Sequence, residues 1–91
     1  MEIEFDPQKR IRTLAERGLD MARANEIFAG VHATVEDTRK DYGETRHMTV
    51  GFLDGRMVFI AWTQRNSATR IISMRKANDR EQAHYGRLLG R

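Results

Sequence analysis

Residues 46–64 read RHMTVGFLDGRMVFIAWTQ, two β-branched and aromatic runs, Arg46–Leu53 and Arg56–Gln64, placed around Asp54-Gly55. An Asp-Gly pair between such runs signals a two-residue type I′ hairpin, because both turn positions need positive φ and these residues tolerate it. That turn length pairs Leu53 with Arg56 and, working outward, Arg46 with Thr63. Side chains alternate along a strand, so Met48, Val50, Phe52, Met57, Phe59 and Ala61 share one face, which is expected to be the core. His47, Thr49, Gly51, Arg56, Val58, Ile60, Trp62 and Gln64 share the other.

The loop Asn66-Ser67-Ala68 leads to a third strand, about 69–76. Pairing Arg65 with Arg70 places Ile72 and Met74 on the core face, and Ser73 and Arg75 beside Trp62, Gln64, His47 and Thr49. A loop one residue longer or shorter exchanges these faces. Asn78 followed by Glu81 makes a capping box for a last helix, with Ala83, Leu88 and Leu89 expected to pack inward.

Towards the N-terminus, Met1–Phe5 alternates apolar Ile3 and Phe5 with Glu2 and Glu4 and reads as a short edge strand. Asp6-Pro7 is an N-cap and first helical residue, so helix one runs over about 7–17 with an apolar stripe of Ile11, Leu14 and Ala15, ending at Gly18. Asp20 caps a second helix carrying Ala24, Ile27 and Phe28, which Gly30 ends. His32–Thr38 is a strand candidate and Asp41-Tyr42-Gly43 a loop. These elements define an α+β fold, a small antiparallel sheet with two N-terminal helices and one C-terminal helix, in a single domain over 1–91.

A chain of 91 residues has no room for separate binding and catalytic lobes, so function must sit on the surface of this one fold. It has no cysteine, which excludes disulfides and thiolate zinc sites. The N-terminus lacks a secretory pattern and no apolar run reaches spanning length, so a cytoplasmic protein without membrane contact is expected. Charge is divided unevenly. Residues 1–45 carry 7 Lys/Arg and 10 Asp/Glu, whereas residues 46–91 carry 9 and 3. Such a basic half suits a surface that meets phosphates.

Arg46, Arg65 and Arg70 are expected to gather at one end of the hairpin sheet, with Ser73, Arg75 and Lys76 further along the third strand and Tyr85 on the following helix. The guanidinium fork matches phosphate oxygens in pairs and stabilises charge developing on phosphorus. The competing reading makes these arginines surface partners of Glu44, Asp79 or Glu81. His32, His47 and His84 are scattered; His47 alone lies near the proposed face. Tyr85 is the better proton-transfer candidate, set against a purely packing role. Trp62 is suited either to stacking a base or to covering the core. Glu81-x-x-His84 stands as a single copy without a partner set, so neither a metal nor another cofactor is expected. Met21, Met48, Met57 and Met74 read as core filler.

Phe5-Asp6-Pro7 with Lys9, the Gly18 junction, Ile27-Phe28, Gly43-Glu44 with Arg46, and above all Arg70-Ile71-Ile72-Ser73 with Arg75, Ala77, Glu81 and Tyr85 resemble the BrnT family of bacterial toxins. The resemblance covers nearly the whole chain. It implies a RelE-like fold with helices on one face and an open RNA-facing surface, and roles in cleavage for Arg65, Arg70 and Arg75. It also implies a BrnA-like ribbon-helix-helix antitoxin as partner, in a two-plus-two complex that binds operator DNA. Where members commonly show Lys-His-Gly, this chain has Glu16-Arg17-Gly18, and Arg17 can bind phosphate without exchanging protons near neutral pH. Phe5 and Met74 replace the tryptophan and alanine usual in the family.

The residues and the resemblance together point to a metal-independent endoribonuclease toxin that cuts RNA by 2′-hydroxyl attack and slows translation. Arg65, Arg70, Arg75 and Tyr85 are the expected catalytic set, and Arg46, His47, Trp62, Ser73, Lys76 and Arg17 the RNA contacts. Two readings remain beside it: a non-catalytic RNA-binding module, and an inactive relative retained for antitoxin binding and operon control.

Overall fold

The protein is described over residues 1–90 in a computed structural model. In chain order its elements are β1 (Glu2–Glu4), α1 (Pro7–Arg17), a 3-10 turn (Met21–Arg23), α2 (Ala24–Ala29), β2 (Ala33–Asp37), β3 (Arg46–Leu53), β4 (Arg56–Arg65), β5 (Ala68–Lys76) and α3 (Asp79–Leu88). The five strands form one sheet in the order β1-β5-β4-β3-β2. All neighbours are antiparallel except β1, which lies parallel to β5 along Ala68–Arg70.

The central hairpin forms as its turn dictates. Asp54 and Gly55 adopt φ of 51° and 75°, Leu53 pairs with Arg56, and Arg46 pairs with Thr63. The next turn differs from expectation. It is a two-residue turn at Asn66-Ser67, with Asn66 at φ 54°, so Arg65 pairs with Ala68 and not with Arg70. Trp62 pairs with Ile71; then, past a bulge that leaves Ile72 over, Ala61 pairs with Ser73 and Phe59 with Arg75. Ser73 and Arg75 therefore lie on the Phe59 side of the sheet, not beside Trp62 and His47. The bulge has a physical reason. Strict alternation from buried Ile71 would drive Ser73 and Arg75 into the interior, whereas one extra residue brings Met74 there instead, fully buried.

Both faces of the sheet are covered, by two clusters of unequal size. The larger is not the one expected: Leu53, Val58, Ile60, Ile71 and Met74 pack against Leu19, Met21, Ala24 and Ile27, with Phe28 and Trp62 at its margin. The Met48, Val50, Met57 and Phe59 face carries a smaller cluster closed by Ala77, Tyr85 and Leu89. Helices thus occupy two faces, with the N-terminal segment on one and α3 on the other. Burying hydrophobic stripes from both chain ends requires both sides of a single sheet. At Gly51 the N-terminal layer approaches closely; a Cβ there would stand 2.6 Å from Ile27 Cγ2.

The caps follow the sequence. Asp6 accepts from the Gln8 and Lys9 N–H groups, Gly18 ends α1 at φ 68°, and Asn78 and Glu81 form the capping box of α3. Two apolar stripes face elsewhere than expected. Ile11 and Leu14 of α1 are 62% and 45% exposed, and α1 buries no residue. It lies along the sheet margin, fixed by Arg10 on Asp20 at 2.8 Å and by Arg17 donating to the Met74 carbonyl at 2.7 Å. On α3, Ala83 and Leu88 face solvent, while Tyr85, Gly86 and Leu89 turn inward.

Candidate functional site

Arg46 and Arg70 flank Thr63 from the strands on either side, so both project from the α3 face of the sheet. Each is already matched. Arg46 lies 3.2 Å from Glu44 and stacks 4.1 Å over the Tyr42 ring, Arg65 reaches the same Glu44 at 3.5 Å, and Arg70 lies 3.0 Å from Glu4. The expected cluster therefore exists, but as a network of ion pairs, which is the competing reading of these arginines.

Arg75 lies five residues beyond Arg70, roughly 15 Å along the strand. The expected catalytic set is accordingly split: Arg46, Arg65 and Arg70 stand at one end, and Arg75 and Tyr85 meet at the other. Arg75 donates through both terminal nitrogens to Glu81, at 2.8 Å for each oxygen, and lies 4.6 Å over the Phe59 ring. The guanidinium of Arg75, with the Asn78 N–H, holds the Glu81 carboxyl down at about 2. Tyr85 packs edge-on against Phe59 at 5.4 Å, and its hydroxyl has no hydrogen-bond partner among the described residues.

These groups line a cavity of about 300 Å³ between β2 and α3, floored by Met48, Val50 and Phe59 and bordered by Arg39 and Asp37. Arg39 is held bidentately by Asp37 at 2.9 Å, which also accepts from the Tyr42 hydroxyl at 3.1 Å. The cavity mouth thus carries two arginine-carboxylate pairs on opposite sides, with an apolar floor between them.

His47 and Trp62 lie on the opposite side of the sheet from this cavity. They stack on each other with centroids 4.4 Å apart, the indole N–H donates to Thr49 Oγ1 at 2.8 Å, and Phe28 meets the indole edge-on at 5.7 Å. The cause is strand parity: once Met74 rather than Arg75 turns toward Ile60, Trp62 shares its face with the larger core. Ser73 remains on the arginine face, opposite Ala61. Arg17 and Lys76 join Arg75 around a shallow depression at the free margin of β5.

Three residues near the cavity were given no site role from the sequence. Glu81 was read as a capping residue and a candidate ion-pair partner, and it pairs with Arg75. His84 was set aside as isolated, yet its ring meets Tyr85 edge-on at 4.8 Å. Arg39, past the end of β2, lines the same cavity as Arg75. The adjacency of His84 and Tyr85 in sequence was the available signal; nothing local marks Arg39. Among the described residues no three His, Asp or Glu side chains converge as a metal site would require.

The α+β sheet thus carries two arginine-carboxylate pairs and a phenol around one open cavity. Residues 5–81 match the ribonuclease toxin family, BrnT, of type II toxin–antitoxin systems, and the chain belongs to that family. The comparison with curated proteins gives no match. Among the described residues no helix is long and apolar enough to cross a membrane.

Proposed function

We propose that this toxin is an endoribonuclease that cuts RNA without a metal ion, at the cavity between β2 and α3. The observation that carries the reading is the placement of Arg75 and Tyr85 on one open cavity, with the His84 ring against Tyr85, in a chain of a ribonuclease toxin family. In this reaction the RNA 2′-oxygen forms a bond to the adjacent phosphorus as it loses its proton. The bond from phosphorus to the 5′-oxygen breaks, and that oxygen takes up a proton. The products are a 2′,3′-cyclic phosphate and a 5′-hydroxyl.

Glu81 takes the terminal fork of Arg75, so Arg75 meets the phosphate through its Nε–H and the remaining Nη2 proton, where charge grows on the non-bridging oxygens. Phe59 beneath and Glu81 beside it fix that orientation in advance. Tyr85, with His84 against its ring, serves the two proton transfers. Arg65 and Arg70 lie too far from Arg75 to act on the same phosphate, so cleavage rests on the Arg75 end.

The physiological consequence of this chemistry is slowed translation and growth arrest in the cytoplasm. The partner is a BrnA-like ribbon-helix-helix antitoxin in a two-plus-two complex on operator DNA, and its RNA-blocking segment covers the cavity mouth. Incubation of the purified protein with defined RNA in EDTA, beside Arg75→Ala, tests the reading. New cyclic or 3′-phosphate ends from the wild type, reduced about 100-fold or more in the variant, are expected. Equal cleavage by both proteins would remove Arg75 from the reaction.

A further inference from the structure

The arginines at the Arg46 end are neutralised, so the free positive charge of the molecule lies elsewhere. Among the described residues Lys40, Arg80 and Arg87 have no carboxylate partner, and neither do Lys9, Arg12, Arg17, Arg56 and Lys76, which line neighbouring depressions. These last five come from α1, the start of β4 and the end of β5, segments distant in sequence, and the fold brings them to one margin.

That margin exists because β1 is short. It pairs with β5 only as far as Arg70, leaving the outer edge of β5 without a strand beside it from Ile71 onward among the described residues. α1 runs along this open edge, and Lys9, Arg12 and Glu16, spaced three and four residues apart, line a groove against Ile72 and Ser73. Arg17 lines that groove and also the next depression, which contains Arg75 and Lys76. Lys76 in turn borders the hollow that holds Arg56. The depressions are contiguous, and Glu16 is their one carboxylate without an ion pair among the described residues. Asp54, the other acid there, is held by Arg23 at 2.8 Å.

Arg75 belongs both to this margin and to the Tyr85 cavity. We propose that the β5 edge and the flank of α1 form a track for the phosphodiester backbone of single-stranded RNA, along which Lys9, Arg12, Arg17 and Lys76 hold the segment flanking the bond presented at Arg75. The inference rests on the ribonuclease reading for its ligand class but names residues outside the cleavage site. Edge strands are also shielded by isolated cations against pairing with another chain. Arg17 serves that purpose with one nitrogen, on the Met74 carbonyl, and leaves its other donors for phosphate, whereas Lys9 and Arg12 lie on the helix beyond the backbone they would guard. A strand of phosphates matches a row of unpaired cations, and counterion release makes its binding steeply salt-dependent.

The test is binding of a 2′-O-methyl RNA oligonucleotide, which lacks the attacking hydroxyl, by fluorescence anisotropy across a NaCl series. Wild type is compared with Lys9→Gln/Arg12→Gln, two exposed or half-exposed positions whose side chains make no bond among the described residues. Thermal unfolding checks that both fold alike. Expected is an affinity loss of about tenfold near 0.1 M NaCl, and a log-log salt slope shallower by roughly 1.4, about 0.7 per lost phosphate contact. Cleavage of unmodified RNA by the variant should retain the same end chemistry at a higher KM. Unchanged affinity and slope in the variant, with the wild type still cleaving, would overturn the track and leave the ribonuclease reading standing. A wild type that neither binds nor cuts RNA would overturn both. Tighter binding of poly-glutamate than of RNA by the wild type, lost in the variant, would assign the margin to an acidic protein and overturn the proposal.

Discussion

Arg75 of β5 and Glu81 of α3 face each other as a parallel pair, two bonds of 2.8 Å each, with the Phe59 ring under the guanidinium. The pair ties the end of the sheet to the first turn of α3 and holds one of the two carboxyls of the cavity that lie below their ordinary range, the other being Asp37 beside Arg39. Because the Glu81 carboxyl falls from 4.5 to about 2 on folding, the contact stabilises the native state fully only above about 4.5. Its contribution is lost as the pH drops toward 2. With Arg75 nearly half exposed, solvent screening reduces the effect to about 1 kcal/mol. Urea unfolding at neutral pH and near pH 3 should show Glu81→Gln losing that amount at neutral pH, with a smaller difference from wild type in acid.

The same substitution removes a negative charge beside Arg75 while leaving an amide that still accepts from the Asn78 N–H. Binding of non-cleavable RNA should therefore tighten by roughly threefold, the sign expected of a screened single charge near phosphate. Weaker binding in Glu81→Gln would mean that the clamp, not the free cation, is the form that meets RNA.

Tyr85→Phe keeps the ring against Phe59 and deletes only the unbonded hydroxyl. Stability should stay within about 0.5 kcal/mol of wild type. RNA cleavage should fall by about 10²-fold or more, the range for a positioned proton-transfer group. Unchanged rates would confine Tyr85 to packing. His84→Gln provides the companion measurement: slower cleavage with RNA binding unchanged is expected, and an unchanged rate would remove the imidazole from the reaction.

Gly51→Ala tests the closest approach in the core. The added methyl would meet Ile27 Cγ2 at 2.6 Å and His32 Cβ at 3.2 Å, so α2 has to move off β3. A destabilisation of about 1–3 kcal/mol is expected in chemical unfolding, with RNA binding at the far sheet margin unaffected.

Asn78→Ala removes the acceptor for the Glu81 N–H and breaks one half of the capping box, at a cost of about 1 kcal/mol. Because Glu81 is also the Arg75 partner, fraying of this turn should lower cleavage more than it lowers binding. Paired measurements of kcat and KM will separate the two.

Much of the fold was legible because it depends on local rules. Asp6-Pro7, Gly18, Asp54-Gly55 and the Asn78–Glu81 box each carry their geometry in neighbouring residues, and each forms as read. The apolar stripes of α1 and α3 were less legible. Ile11 and Leu14 have helical spacing, but no neighbouring element covers them, and Leu19 and Met21 occupy the core instead. Charge pairing was visible only as a competing possibility, since Glu4 and Arg70 are joined by a parallel strand contact across nearly the whole chain.

By itself the sequence determined the element order, the central hairpin register and the family, because turns, caps and short motifs act over a few residues. The tertiary structure decided which face each strand presents. A two-residue turn at Asn66-Ser67 and one bulged residue at Ile72 set the parity of β5, and a shift of one residue exchanges every side chain between the faces. That parity carries Arg75 to Tyr85 and buries Met74, and it separates Trp62 from the arginines. Alternation fixes only relative facing; packing against α2 and α3 selects the absolute one.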